Sequence, residues 1–325
     1  MNSRVDPNHP IFTQKYTIYT PPMDEMISVI GNWIEQRLSG EYLFGPSRFG
    51  KTRSVRDYLI IELSQRFGQD VPLVLWSRKD SLMGEGEFWN EILKASKYEL
   101  YDIKKPKTKI VARNLVEERF KTIADFAQSN YVILLIDEAQ EITLKEWKWL
   151  LGLQNNLDIN GYKLSVFSIA SHNINYKPNY LARTGNPHIT ARFFTGNYRF
   201  KGITDIKELI FILQSYEEDS EWPDGSGTTY LEYFAPRGYK KGKRLFNYAD
   251  LIWEAFQKEY PQNLYKKNKF EIPMQHIAAL IERTLKDFVN DDEDWEKLES
   301  LEYWLNSIKT TGFESHILMI SEIPL

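Results

Sequence analysis

The sequence predicts an α/β protein with a doubly wound, five-stranded parallel sheet, followed by a region built of helices. Two observations carry this prediction. Short apolar runs rich in β-branched residues alternate with amphipathic helical stretches over about the first 203 residues, which is typical of a parallel sheet covered on both faces. After about residue 204 the strand signals fade and amphipathic helical segments dominate.

Five strand candidates follow one another along the chain. The first is the apolar lead-in EYLF, and the third, Val132–Ile136, is apolar at every position, as a strand buried on both faces requires. The other candidates are VPLVLWS (71–77), KLSVFSIAS (163–171) and YRFKGI (198–203). Helical patterns alternate with these strands at roughly 23–38, 52–67, 86–98, 111–129 and 145–156.

The composition is that of a soluble globular protein. Of 325 residues, 42% are hydrophobic and 26% are charged, which is ordinary for this class. No apolar run approaches the roughly 18 residues of a membrane-spanning helix, and MNSRVDPNHPIF lacks the apolar stretch of a signal peptide. The absence of cysteine excludes disulfides and zinc sites built on thiolates. We therefore expect a cytoplasmic protein.

The formal net charge of −4 gives no overall indication of nucleic-acid binding, but the charges are unevenly distributed. Residues 104–113 carry five basic residues and no acidic one, and 237–244 is a second basic run. Residues 291–302 instead hold seven acidic residues and one lysine. Such runs are often only solvated surface. The cations of the first run are Lys104, Lys105, Lys107, Lys109 and Arg113.

The segment GPSRFGKT matches the phosphate-binding pattern G-x-x-x-x-G-K-[ST]. Its glycines allow successive backbone N–H groups to curl around a phosphate. Lys51 is suited to reach the β- and γ-phosphates, and the Thr52 hydroxyl is suited to bind Mg²⁺. The helix that follows directs its positive N-terminal end at the phosphates. The predicted nucleotide-binding residues of this loop are Gly45, Pro46, Ser47, Arg48, Phe49, Gly50, Lys51, Thr52 and Arg53.

Two acidic residues end the third strand candidate, in the sequence YVILLIDEAQ. Ligands of open parallel sheets bind beyond the carboxyl ends of the strands, where Asp137 and Glu138 are expected to lie. Asp137 is suited to hold Mg²⁺ through its water shell, and Glu138 to polarise the attacking water. The loop and this acidic pair together predict a nucleoside triphosphatase that uses ATP and Mg²⁺.

Among phosphate-loop proteins, the AAA+ class fits best. DEAQ resembles a helicase motif, but such a helicase needs a second α/β domain, whereas residues 204–325 supply only helical patterns. RLSGEY (37–42) is similar to a transporter-ATPase signature but precedes the phosphate loop. A small-molecule kinase would not need the long helical C-terminal half. The predicted domains are an α/β nucleotide-binding core over 1–203, a helical lid over 204–290 and an acidic extension over 291–325.

The sequence resembles the AAA+ ATPases that regulate DNA transposition, the TnsC/TniB type, over roughly residues 16–285. The resemblance rests on YTPPMDEMISVIGNWI, GPSRFGKTRS, LLIDEAQ and ARFF. It implies that Arg192 is an arginine finger reaching the γ-phosphate held by a neighbouring protomer. If Arg192 is only a surface arginine, Arg183 is the substitute candidate. It also implies a sensor 1 role for Ser171, where relatives often have a glycine-threonine pair instead of Ala170-Ser171.

Two further roles follow from the same resemblance. Asn173 is an equal candidate for sensor 1, and Arg244 is the candidate for sensor 2, in contact with the nucleotide. Members of the family are ATP-dependent rings or filaments on duplex DNA that link target-selector proteins to the transposase. In such an assembly the 104–113 run is expected to face DNA. The alternatives are a replication initiator or helicase loader, and a nucleotide-binding switch or scaffold that does not bind DNA.

Overall fold

The computed structural model describes residues 5–79, 81–264, 269–289 and 294–321. The chain divides into two compact units. The first, here called the sheet unit, comprises Met26–Ser47 and Val55–Phe200. The second, here called the helical unit, comprises the described residues of Met1–Glu25, Arg48–Ser54 and Lys201–Leu325.

A five-stranded parallel sheet forms the centre of the sheet unit, with the strand order β2-β3-β4-β1-β5. The chain therefore leaves β1 for the far edge strand β2, returns strand by strand, and ends on the other side of β1. The predicted fold class is confirmed. The strands are β1 (Tyr42–Phe44), β2 (Leu73–Ser77), β3 (Tyr131–Asp137), β4 (Lys163–Ala170) and β5 (Asn197–Arg199).

The central strands are apolar because helices cover the sheet on both faces. All seven residues of β3 are buried, as are all residues of β4 except Lys163. Aromatic side chains of the flanking helices complete this core, and Trp89, Phe120 and Trp147 are almost fully buried. A continuous apolar run, instead of an alternating one, is what this double coverage requires.

Helices precede the sheet and connect its strands close to the predicted positions. The predicted helix 52–67 contains a π-helical segment, Val55–Leu59, between two α-helical parts. The helices are α1 (Pro10–Thr13), α2 (Pro21–Glu35), α3 (Lys51–Ser54), α4 (Ile60–Phe67), α5 (Glu85–Ala95), α6 (Lys109–Phe126), α7 (Leu144–Ile159), α8 (Tyr176–Arg183) and α9 (Pro187–Phe193).

The described part of the chain after β5 is helical, as predicted, apart from a two-residue antiparallel bridge between Ile203 and Ile272. Among the described residues, every helix of the chain is too short or too polar to span a bilayer. The helices of this part are α10 (Ile206–Gln214), α11 (Tyr230–Phe234), α12 (Pro236–Lys240), α13 (Ala249–Glu259), α14 (Met274–Asp287), α15 (Leu301–Thr310) and α16 (Phe313–Ser321).

The helical unit has its own hydrophobic core. Helices α15 and α16 contribute the buried side chains of Trp304 and Phe313, which belong to the same cluster as Ile212 of α10 and Leu280 of α14. These two helices lie in the segment predicted as an acidic extension, of which 290–293 and 322–325 lie outside the described residues. The domain boundaries at 203 and 290 stay predictions.

A buried carboxyl group links two parts of the helical unit. Glu217 is fully buried, and its Oε1 accepts hydrogen bonds from the backbone N–H groups of Leu245 and Phe246. Its Oε2 is also buried, with no hydrogen-bond partner within the described part of the chain. Burial raises the pKa of Glu217 to about 7, although these N–H groups and the nearby charge of Arg244 oppose the rise.

This raised pKa predicts how stability depends on pH. Between the unfolded pKa near 4.5 and the folded pKa of about 7, the folded state binds more protons. The free energy of unfolding should therefore fall as pH rises through this window, by roughly 2–3 kcal/mol from this group. Glu217→Gln should remove that part of the pH dependence. The exposed Glu218→Gln is the matched control, and urea unfolding at pH 4.5 and pH 8 is the measurement. An identical pH dependence in wild type and Glu217→Gln would contradict the prediction.

Candidate active site

Because the strands are parallel, the residues that follow them meet at one edge of the sheet. Within the sheet unit this edge holds Gly45–Ser47 after β1, Asp137 and Glu138 at the end of β3, and Ser171 after β4. The backbone N–H of Gly45 donates to the carbonyl of Ala170, the last residue of β4, at 3.2 Å. The structure thus brings the start of the phosphate loop, the acidic pair and one sensor 1 candidate to the same edge.

The first glycine of the loop is required by a close approach of two backbones. A Cβ atom at Gly45 would lie 2.7 Å from the carbonyl oxygen of Phe200, too close for any side chain. Two later residues are left-handed, Arg48 with φ 68° and Gly50 with φ 115°. A left-handed non-glycine residue is uncommon and costs conformational energy. The loop is therefore a specific, partly strained conformation.

The end of the loop leads directly into helix α3, which begins at Lys51. The carbonyl of Gly50 accepts hydrogen bonds from Ser54, from its N–H at 3.0 Å and its hydroxyl at 3.1 Å. Phe49 is buried, whereas the side chain of Thr52 is exposed. Helix α3 with its first residue at Lys51 is the arrangement that the phosphate-binding pattern predicts.

Arg53 connects α3 to the N-terminal segment of the helical unit. Its Nη1 donates to the backbone carbonyl of Tyr16 at 2.9 Å. The Tyr16 hydroxyl lies 2.9 Å from the hydroxyl of Tyr216 and donates to Glu282 Oε1 at 2.9 Å. Burial, together with these neighbours, raises the pKa of Tyr16 far above its usual range. The sequence pattern did not single out Tyr16 or Glu282, because nothing local connects positions this far apart.

The acidic pair at the end of β3 has two different environments. Asp137 is 5% exposed, its Oδ1 accepts the N–H of Glu138 at 3.0 Å, and its carbonyl accepts the N–H of Arg78 at 2.9 Å. Glu138 is exposed and left-handed, with φ 58° and ψ 37°. Strained non-glycine residues of this kind cluster at functional sites. The left-handed backbone at Glu138 ends the extended conformation of β3 at Asp137.

A residue that the sequence reasoning missed bridges Glu138 to β4. Gln140 Nε2 donates to Glu138 Oε2 at 2.6 Å, and Gln140 Oε1 accepts the backbone N–H of Ser171 at 3.0 Å. Gln140 belongs to the DEAQ motif, so its position in that motif was the available signal. Asn173, the other sensor 1 candidate, is exposed on the 3₁₀ turn His172–Asn175 that follows Ser171.

A buried ion pair joins the end of β2 to the start of α7. Arg78 Nη2 lies 2.9 Å from Glu146 Oε1, and both side chains are 1% exposed. Glu146 also forms a capping box with Thr143 at the start of α7. Breaking a buried pair by removing one partner leaves an uncompensated charge and is strongly destabilising. Arg78 and Glu146 therefore fix the positions of β2 and α7 next to Asp137.

Residues 40–175 match the protein family described as AAA domain. We call this segment the AAA domain, after the family that it matches. It contains β1 to β4, the phosphate loop and the acidic pair, and it ends with the 3₁₀ turn after Ser171. The oxygen ligands predicted for Mg²⁺, the Thr52 hydroxyl and the Asp137 carboxylate, are of the type that Mg²⁺ accepts, with substrate phosphates and water supplying the other positions.

The chain as a whole has weak likenesses among solved structures. ORC2 of Aeropyrum pernix, in ADPNP-ADP complexes, is 14% identical with a TM-score of 0.46, over 90% of this chain and 74% of that chain. Cdc6p from Pyrobaculum aerophilum is 13% identical with a TM-score of 0.47, over 94% of this chain and 98% of that chain. Drosophila ORC bound to DNA is 14% identical with a TM-score of 0.49, over 100% and 70%. No curated protein sequence matches this chain.

Both arginine-finger candidates lie near the C-terminal end of the sheet unit. Arg183 is in the last turn of α8 and Arg192 is in the last turn of α9, and both side chains are exposed. The backbone of Arg192 packs so closely against Gly40 that a Cβ atom there would overlap its carbonyl oxygen. Arg192 is therefore held by its backbone while its side chain faces outward. The trans role of either arginine stays a prediction.

Arg244, the sensor 2 candidate, is bound within its own turn of the helical unit. Its Nη1 donates to the carbonyls of Tyr239 at 3.0 Å and Lys243 at 2.8 Å. Its guanidinium carbon lies 3.8 Å from the centroid of the Tyr239 ring. A contact with nucleotide would have to use the remaining donors of the guanidinium group, and this role also stays a prediction.

The cations of the basic run 104–113 differ in their exposure and in their contacts. Lys104 and Lys105 are exposed in the connection between α5 and α6. Lys107 is fixed by its backbone, which exchanges two hydrogen bonds with the Asn90 side chain at 3.0 and 2.8 Å. Two cations of α6 lie near other groups: Lys109 Nζ is 2.9 Å from Glu85 Oε2, and the Arg113 guanidinium lies beside Gly152 of α7.

Proposed function

We propose that this protein binds Mg²⁺-ATP and hydrolyses it to ADP and phosphate. The observation that carries the proposal is the shared sheet edge of the AAA domain, where Gly45–Ser47 begin the phosphate loop and Asp137 and Glu138 end β3. Acidic residues next to a phosphate-binding loop are what phosphoryl transfer requires, because catalysis there is mainly positioning and charge stabilisation.

Each residue has a distinct part in this proposal. Lys51 compensates the charge of the β- and γ-phosphates, and Thr52 and Asp137 would hold Mg²⁺. The bound Mg²⁺ supplies charge neutralisation on the phosphate oxygens. Glu138 accepts a proton from the attacking water, whose oxygen forms the new bond to the γ-phosphorus as the bond to ADP breaks. Gln140 donates to Oε2 of the Glu138 carboxylate. Because each carboxylate oxygen can accept hydrogen bonds, Glu138 can keep this contact while it accepts one from water.

We further propose that the protein assembles with its own copies and that an exposed arginine of one protomer completes the site of the next. Arg192 and Arg183 both lie on short helices after β4 with their side chains in solvent. An arginine finger supplied in trans stabilises the charge of the transition state and is worth about 10³–10⁵ in turnover in phosphate-loop enzymes. Nucleotide would then control assembly, because it binds the assembled form preferentially.

The finer proposal is an ATP-dependent regulator of DNA transposition that binds duplex DNA and connects target-selector proteins with the transposase. It is supported by the motifs shared with the TnsC/TniB type and by the exposed Lys104 and Lys105. A replication initiator or helicase loader would share the ATPase and DNA-binding properties but act with replication proteins. A nucleotide-binding switch would show neither DNA binding nor DNA-stimulated turnover.

The chemistry is tested by two substitutions. Lys51→Ala should abolish productive nucleotide binding, because the β- and γ-phosphates lose the lysine that compensates their charge. Glu138→Gln should keep nucleotide binding but lower phosphate release by roughly 10²–10⁴-fold, since an amide is a poor base. Radiolabelled ATP binding and phosphate release are the measurements, and the exposed Glu218→Gln is the control. Wild-type turnover in Glu138→Gln would exclude this residue as the base.

The shared site is tested by mixing two inactive proteins. Arg192→Ala and Lys51→Ala proteins should each be inactive alone, and a mixture should recover part of the phosphate release because some sites then combine intact parts. Arg183→Ala mixed with Lys51→Ala is the parallel experiment for the substitute arginine. If folded Arg192→Ala protein is never rescued at any mixing ratio, Arg192 does not act in trans.

DNA binding is tested at the exposed lysines. Reversing Lys104 and Lys105 to Glu should weaken binding similarly on unrelated duplexes, and should flatten the log–log salt slope by about 0.9 for each lost phosphate contact. Lys109→Glu should have a smaller effect, because Lys109 is already paired with Glu85. Fluorescence anisotropy over a salt series with non-hydrolysable ATP is the measurement. Unchanged affinity and slope in the Lys104/Lys105 variant would direct attention to 237–244.

A further inference from the structure

Lys177 of helix α8 contacts the chain immediately after Glu138. Its Nζ donates to the carbonyl oxygen of Ile142 at 2.5 Å and lies 3.5 Å from that of Ala139. These carbonyls belong to the first and last residues of the segment 139–142, which contains the 3₁₀ turn Ala139–Glu141. A single ammonium group on a different helix therefore binds both ends of the turn that follows the proposed catalytic base.

The turn itself has few hydrogen bonds to maintain its shape. The N–H of Glu141 donates to the carbonyl of Glu138 at 3.0 Å, and the N–H of Ile142 donates to that of Ala139 at 3.2 Å. Because Glu138 is left-handed, the turn must hold a strained residue at its start. A cation at the carbonyl end of a short helical turn stabilises it by hydrogen bonding and by charge.

The position of Lys177 removes part of the water around its ammonium group, which disfavours the charged form. Burial lowers the pKa of Lys177 to about 8, an effect that the carboxylates of Glu141 and Glu146 oppose and the guanidinium of Arg78 reinforces. These three side chains, on the turn, on α7 and after β2, are the charged groups that act on it. A partly buried ammonium group is tolerated where carbonyl and carboxylate oxygens replace part of its water shell.

We propose that Lys177 is a positioning residue for Glu138: by binding Ala139 and Ile142 it holds the turn in the conformation that points the Glu138 carboxylate at the attacking water. The proposal rests on the proposed ATP hydrolysis. Lys177 itself touches neither nucleotide nor water in this role. It also connects the turn to α8, whose last turn carries Arg183 and whose surface exposes Tyr180, 62% accessible. A neighbouring protomer that binds α8 thus contacts the helix that holds Glu138 in place.

The test compares Lys177→Met and Lys177→Arg with wild type, and uses Lys148→Met, an exposed lysine of α7, as the matched control. Lys177→Met should lower kcat roughly 10- to 100-fold, as expected for a misplaced catalytic group. Its KM and its affinity for a fluorescent ATP analogue should stay within about twofold of wild type, because the phosphate loop is unchanged. Lys177→Arg should recover most of the lost kcat, since arginine also donates to carbonyls.

The pH profile separates positioning from a general structural role. Wild-type kcat should fall as pH rises above about 8, where Lys177 loses its charge and its hold on the carbonyls weakens. Lys177→Arg keeps its charge, so its kcat should show no such fall up to about pH 9.5. Lys148→Met should follow the wild-type profile.

The outcomes distinguish this inference from the proposed function. Absence of phosphate release by the wild-type protein at every pH would refute the hydrolysis and the inference with it. Two results in an active wild type would refute the inference alone. One is a kcat of Lys177→Met within twofold of the wild-type kcat. The other is a fall of kcat at alkaline pH in Lys177→Arg that equals the fall in wild type. If Lys177→Met does not bind the ATP analogue, the inference is tested by comparing the pH profiles of kcat for wild type and Lys177→Arg.

Discussion

The parallel direction of all five strands is the constraint on which the rest of the sheet unit depends. Parallel pairing requires crossover helices, which cover both faces and make β3 and β4 apolar throughout. It also brings the carboxyl ends of β1, β3 and β4 to one edge. Gly45, Asp137 and Ser171 come from segments far apart in sequence, and they share a neighbourhood only because their strands run in the same direction. An antiparallel β1 or β3 would place these groups at opposite edges.

At that edge a short turn lowers the stability of the protein. Glu138 is left-handed, and the side chains that surround the turn include a buried ion pair, a bridging amide and a partly desolvated lysine. Hydrogen bonds to charged groups are stronger than neutral ones, but their removal from water is costly. Strained and desolvated groups of this kind are typical of a site where a functional side chain must be held close to one geometry. The Gln140 bridge holds the side chain of Glu138, and the Lys177 contacts hold the backbone carbonyls of Ala139 and Ile142 in the turn that follows.

The sequence motifs of this site lie within short stretches of the chain, whereas several of its supporting contacts join residues far apart in sequence. GPSRFGKT and the apolar run before Asp137 each lie within about ten consecutive residues, so they could be read directly. The role of Arg78 could not be predicted from the sequence, because Arg78 follows β2 and its partner Glu146 lies on α7. The basic run 104–113 shows the same limit: as a sequence it is uniform, but folding leaves Lys104 and Lys105 exposed and places Lys109 next to Glu85.

The sequence by itself determined the fold class, the positions of the five strands, and the residue types at the ends of β1 and β3, because apolar periodicity and the chemistry of a phosphate loop are local properties. It did not determine which side chains hold Glu138, nor how individual lysines and arginines are engaged. Those depend on the strand order, on the packing of α7 and α8, and on desolvation, which are properties of the folded chain. Lys177 shows this most clearly. Thirty-five residues separate it from Ile142 in sequence, and only the arrangement of α8 beside the end of β3 brings its ammonium group to the carbonyls of the turn.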